Sequence, residues 1–168
     1  MGDVAMLAPV LSTLRRQYPD LNISVLTKGY FAPFFRNIPN IHIINADIKG
    51  THKGIYGLFK LSKSLKKLEI DAVADCHNVL RSNILKLFFL GTTYVQIDKG
   101  RAEKKALVSG SGFQQLKTTH QRYADVFKAL GYPIDLSNPV FPERIVLSDA
   151  IQKRINSTKK VWIAVAPF

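Results

Sequence analysis

Met1-Gly2-Asp3-Val4-Ala5-Met6-Leu7-Ala8-Pro9-Val10-Leu11-Ser12-Thr13-Leu14-Arg15-Arg16-Gln17-Tyr18-Pro19-Asp20, followed at once by Leu21-Asn22-Ile23-Ser24-Val25-Leu26-Thr27, is the stretch whose reading decides the fold. It reads as loop, helix, turn and strand. Val4, Leu7, Leu11 and Leu14 recur at intervals of three and four residues, which gathers them on one helical face. Arg15 and Arg16 fall in the last turn, where cations suit the exposed carbonyls, and Pro19 ends the helix. Pro9 predicts a short opening turn before the main helix, because proline fits best at a first helical position. Gly2-Asp3 is read as lying just ahead of the helix. There a flexible backbone and one carboxylate stand beside unpaired N–H groups, a place where α/β proteins hold anions or do chemistry. The plainer reading of Asp3 is an N-cap. In a doubly wound chain the loop that opens the first helix leaves the carboxyl end of a strand, so the pattern predicts a strand before Met1.

The rest of the chain continues the alternation. An aromatic turn at 30–35 leads to a second strand at 41–45, whose His42 reads as structural because no metal-ligand neighbours accompany it. Residues 54–69 form an amphipathic helix with Ile55, Leu58, Leu61, Leu65 and Leu68 on one side and Lys60, Lys63, Lys66 and Lys67 elsewhere. Such a helix either meets acidic lipid headgroups or simply covers the sheet with a solvated basic face. A third strand at 70–74 runs into Asp75-Cys76-His77-Asn78, followed by Val79-Leu80-Arg81-Ser82. Ligands of open α/β sheets sit beyond strand carboxyl ends, so Asp75, His77, Asn78, Arg81 and Ser82 are candidate binding residues. Asp75 or Asn78 also suits the cap of the helix predicted to reach Leu90.

A fourth strand at 92–97 precedes a charged loop at 99–105, where four basic residues face Glu103. The Ser109-Gly110-Ser111-Gly112 loop lacks the leading strand of a phosphate-binding fingerprint. Tyr123, Val126, Phe127 and Leu130 give the apolar face of a helix that Gly131 stops. His120 and Arg122 lie in its first turn, where a cation opposes the dipole, so something other than helix stability keeps them there. Residues 139–146 read as extended and 147–155 as a helix capped by Ser148. Residues 156–160 read as a polar linker, and 161–166 have the apolar content of a buried parallel strand.

Bulk properties set limits. The 168 residues suffice for one domain with a sizeable core, and 46% hydrophobic content is that of a globular protein. A single cysteine, Cys76, forms no internal disulfide and reads as a small core residue. No window approaches the roughly 20 apolar residues of a membrane-spanning helix, and no basic region precedes the first apolar run, so a cytoplasmic protein is expected. The excess of 24 Lys and Arg over 12 Asp and Glu, net +12, favours an acidic partner: nucleic acid, an anionic membrane surface or a phosphorylated substrate.

Taken together, several of these residues resemble the ADP-heptose:lipopolysaccharide heptosyltransferases of glycosyltransferase family 9. The match runs through Gly2-Asp3-Val4 with Pro9, Leu14-Arg15 through Tyr18-Pro19, Asp71-Ala72-Val73-Ala74-Asp75 with Arg81-Ser82, His120-Gln121-Arg122-Tyr123, and Ile163-Ala164-Val165-Ala166-Pro167. The resemblance implies an α/β, Rossmann-like parallel sheet in the N-terminal half of a two-domain GT-B enzyme. Residues 1–155 would form the acceptor-side domain, and 156–168 the linker and first strand of a donor-binding domain. It implies inverting transfer without metal or cofactor, from ADP-heptose or a similar nucleotide sugar, with Asp3 matching the family's proposed base. Gly2, Asp75, His77, Asn78, Arg81, Ser82, His120 and Arg122 would bind substrate, although family members often carry Gln where His77 stands. The acceptor would be the acidic inner core of lipopolysaccharide, met at the inner-membrane surface by a peripheral enzyme, and no nucleic acid is expected. Two other readings compete. A basic nucleic-acid-binding α/β domain is suggested by the net charge, against which stands the lack of an aromatic-interleaved basic motif. A non-catalytic nucleotide-binding domain would tolerate loss of Asp3.

Overall fold

In the computed structural model, which describes residues 1–143 and 146–157, helices and parallel strands alternate from the first turn. Helix α1 (Gly2–Gln17) leads to strand β1 (Ile23–Thr27), a 3-10 turn (Gly29–Phe34) and β2 (Ile41–Asn45). Then come α2 (Gly54–Lys66), β3 (Ala72–Asp75), α3 (Leu80–Leu87) and β4 (Thr93–Gln96). The chain continues through α4 (Arg101–Val108), α5 (Thr119–Ala129) and α6 (Asp149–Asn156). The predicted strand at 161–166, and the linker from 158 onward, lie outside the described residues.

Helix α1 is unbroken, so the turn expected at Pro9 is absent. A mid-helix proline costs about 3 kcal/mol. Against that, Val10, Leu11 and Leu14 are all 3% exposed or less, and each contributes about 1.5–3 kcal/mol by burial, so packing wins. Gly2 and Asp3 lie inside the first turn, with Met1 as the N-cap and no side-chain cap; Asp3 therefore does not cap the helix.

The strands form two parallel pairs. Ile23 to Thr27 align with Ile41 to Asn45, and Ala72 to Asp75 with Thr93 to Gln96. The sequence reading of one sheet is thus met by two two-stranded sheets among the described residues. Both share the same helical layers. Val10, Leu11 and Leu14 of α1, with Tyr123, Val126 and Phe127 of α5, pack against Val25 and Ile43 of the first pair and Ala74 and Val95 of the second. Side chains alternate along a strand, so the neighbouring residues Ile44, Val73 and Tyr94 turn to the opposite layer, where Leu58, Leu61 and Leu65 of α2 meet Leu85 of α3 and Phe89. Of the strand residues only Asp75 is fully buried, and Leu26 remains 36% exposed.

Two sequence expectations need correction. The charged stretch at 99–105 is mostly helical, entering α4 through Gly100 in the left-handed conformation. Helix α3 stops at Leu87, short of Leu90, which is 86% exposed. Among the described residues no helix is long and apolar enough to cross a membrane.

Thr13, fully buried, ties a distant segment to α1. Its hydroxyl donates to Pro9 O at 2.8 Å and accepts from Val140 N at 2.9 Å. Thr13→Val keeps the shape but leaves the half-buried Val140 amide without its acceptor. It is expected to lower unfolding free energy by about 1–3 kcal/mol in denaturant titration, and an unchanged midpoint would show the bond to be dispensable.

Candidate functional site

The polar residues after β3 converge because a parallel strand ends there and the backbone must turn into α3. Asn78 makes the turn with φ +42, a conformation Asn tolerates better than most residues. Asp75 Oδ1 accepts from His77 N at 3.0 Å and Asn78 N at 2.8 Å, while Gln96 Nε2 donates to Oδ2 at 3.0 Å. The same Gln96 amide also donates to Asn83 Oδ1, and Lys86 Nζ donates to Gln96 Oε1 at 3.0 Å. Asn78 Nδ2 donates to Ile97 O at 3.0 Å, locking the turn to the end of β4. Ser82 accepts from Val79 N at 2.9 Å and so closes the first turn of α3.

Burial alone pushes the Asp75 carboxyl up. Donation from Asn78 N, from the Gln96 and Ser82 side chains and from His77 N outweighs it, holding the group below its ordinary value. Beside it, Tyr94 is pushed well up by burial and by the Asp75 charge. The same two causes, in the same order, push the Cys76 thiol up to about 12, so Cys76 is an inert thiol at neutral pH.

Asp3 faces this turn from the other side. Its carboxylate lies 3.9 Å from His77 Nε2, with both side chains about two-thirds open to solvent at 63% and 64%. The backbone beneath is fixed by Tyr123, whose hydroxyl donates to Asp3 O at 3.1 Å and is pushed up to about 12 by burial, then by the charges of Asp3 and Cys76. One turn earlier on α5, half-buried His120 lines a cleft of about 440 Å³ with Ala5, Met6, Pro9, Arg36 and Phe141. The arrangement therefore offers one open carboxylate and one imidazole at the start of α1, and a cleft lined by Ala5, Met6, Ala8 and Pro9 further along the same helix.

The structure brings Asp3, Gly2, Asp75, His77, Asn78 and Ser82 to this edge and sets His120 at the adjoining cleft. It does not open Arg122 to it. Arg122 is 5% exposed and bonds inward, Nη2 to Glu103 Oε2 and Nη1 to Asp98 O at 3.3 Å, which accounts for a cation in the first turn of α5. Arg81 is exposed in the first turn of α3. Gln96 was missed by sequence reasoning, yet it ends β4 opposite Asp75 and the strand-end rule applied to that strand finds it. Asn83, Arg36 and Phe141 carried no signal beyond residue type. Among the described residues no group of three His, Cys, Asp or Glu side chains converges as a metal site. Comparison of the chain with protein-family models, curated proteins and solved structures found no match.

Two tests address this region. Asp75 is depressed in the folded state, so its contribution is present above the unfolded carboxylate value and is lost as pH falls through the folded one. Denaturation midpoints are expected to drop below about pH 4, and Asp75→Asn should flatten that limb; an unaltered limb would assign it to other carboxylates. Gly100 has φ +60, and a Cβ there would overlap the Arg122 guanidinium. Gly100→Ala is expected to cost at least about 1–2 kcal/mol in thermal or urea unfolding, and a neutral effect would mean that Arg122 moves freely.

Proposed function

We propose that the chain is the acceptor-side part of an inverting glycosyltransferase of GT-B plan. It moves heptose or a related sugar from an ADP-sugar to the acidic inner core of lipopolysaccharide at the cytoplasmic face of the inner membrane. The observation that carries this reading is the open Asp3 carboxylate at the carboxyl edge of the parallel strands, 3.9 Å from His77. Inversion at an anomeric carbon needs one base on the acceptor side. The acceptor oxygen attacks the anomeric carbon, the bond to the nucleoside diphosphate breaks with its electrons leaving on the diphosphate, and the acceptor proton passes to Asp3. Asp75 is unsuited to that step, since its oxygens already hold three donors. His77 stands beside Asp3, and Arg36 and His120 line the cleft together with Glu143, so the cations that could meet phosphate or carboxylate on the acceptor share it with one acid.

Connectivity supports the fold side of the reading. Helix α1 and the 3-10 turn touch on one side of the strands, and α2 and α3 touch on the other. With right-handed crossovers, that change of side turns the chain outward in opposite directions through β1–β2 and β3–β4. Chain reversal of this kind between two parallel pairs is compatible with a doubly wound α/β plan.

The test is sugar transfer from ADP-heptose to a Kdo–lipid A acceptor by the full-length gene product, wild type against Asp3→Asn. Loss of at least about 10²-fold in kcat/KM with an unchanged circular dichroism spectrum is expected. Equal activity would remove Asp3 as the base, and absence of transfer from any ADP-sugar would overturn the reading.

A further inference from the structure

Helices α2 and α3 form one outer layer with an unusual surface. Together they contain Lys60, Lys63, Lys66, Arg81 and Lys86 and no acidic residue. Their inner sides are spent on the core, where Leu58, Leu61, Leu65 and Leu85 are all 8% exposed or less. The outer sides carry large apolar side chains in solvent: Ile55, Tyr56 (80% exposed), Leu80 (75%) and Leu87 (65%), with Leu90 (86%) just beyond α3. The helical repeat sets Tyr56, Lys60, Lys63 and Lys67 opposite the buried Leu58, Leu61 and Leu65, and Leu80 and Leu87 opposite Leu85. Phe59 stacks edge-on against Phe88 at 5.5 Å, and Lys63 Nζ lies 4.8 Å over the Phe59 ring, so the two helices present a continuous face.

We propose that this face docks on an anionic lipid bilayer. The occupant must be apolar at its surface and negative just outside it, which describes the boundary between acyl chains and anionic headgroups. Nucleic acid would use the lysines and leave the leucines and Tyr56 in water. A second copy of the same face would bring two acid-free cationic helix pairs together. Orientation fits as well. A helix that follows a parallel strand begins at the strand's carboxyl end, so Leu80 and Arg81 adjoin the Asp75–Asn78 turn and the docked face brings the Asp3 edge to the membrane surface. This deepens the transfer reading by naming how a lipid-borne acceptor is met, but the binding itself is measured without any sugar donor, so the two can fail separately.

The experiment is co-sedimentation of the full chain with vesicles of phosphatidylcholine alone or mixed with phosphatidylglycerol, at low and high salt. Binding that requires phosphatidylglycerol and weakens with salt is expected. Lys60→Gln with Lys63→Gln should weaken it roughly thirtyfold, from about 1 kcal/mol per lysine near such a surface. Tyr56→Ser with Leu87→Ser should weaken it at both salt concentrations. All four side chains are exposed, so circular dichroism should be unchanged in both variants. Absence of binding to the mixed vesicles, binding indifferent to both variants, or variants that lose duplex DNA binding while keeping vesicle binding would each overturn the proposal.

Discussion

The burial of one side of α1 is the constraint on which the rest of the structure depends. Val10, Leu11 and Leu14 are the floor for residues of all four strands and for α5, and no ladder among the described residues joins the two strand pairs. The pairs keep their relative order because they rest on the same helix. Polar anchors fix the register of that helix. Arg15, 9% exposed, donates to the carbonyls of Leu21 and Pro39 and so satisfies groups where β1 begins and before β2. Gln17 and Tyr18 bond the loop after α5 through Asp135 and Pro133. A cation this buried is tolerable only because its donors are met by carbonyls.

The same constraint explains what could be read from the sequence. Periodicity identified α1, α2 and α5, since each turns a regular apolar row toward a core. Strand ends were legible through one rule, which pointed to Asp75, His77, Asn78 and Ser82, and the structure gathers these at a single turn. The first turn of α5 was flagged by a cation against the dipole, but Arg122, read as a substrate ligand, is instead paired inward with Glu103 and Asp98. What could not be read were the partners themselves. They lie on α4 and its approach, a stretch whose charges look like a solvated loop because α4 buries no residue fully. Pro9 misled for a related reason, because local preference said break while the tertiary contacts of its neighbours decided otherwise.

Pairing of strands into two sheets was also beyond the sequence. Parallel strands in α/β proteins are usually buried on both faces, whereas the β-branched content of Ile41-His42-Ile43-Ile44 marks a strand without saying what covers it. In the structure only Asp75 among the strand residues is fully buried, and Ser24 and Leu26 of β1 stay open. Composition reports how apolar a strand is, whereas exposure depends on which neighbour lies beside it.

The two carboxylates at the strand edge show how environment divides chemical roles between identical groups. Asp75 is buried and holds donors from His77, Asn78 and Gln96, which favour its charge and make it a poor acceptor for a further proton. Its work is to hold the turn that aims His77. Asp3 accepts no side-chain hydrogen bond among the described residues, stands open to solvent and has its backbone pinned by Tyr123. Fixed position with free oxygens is what a base needs, because the proton must arrive at an unoccupied lone pair at a defined distance. Under the proposed transfer the network around Asp75 would be the support and Asp3 the reacting group, and the helix that carries Asp3 is the same one that holds both pairs of strands together.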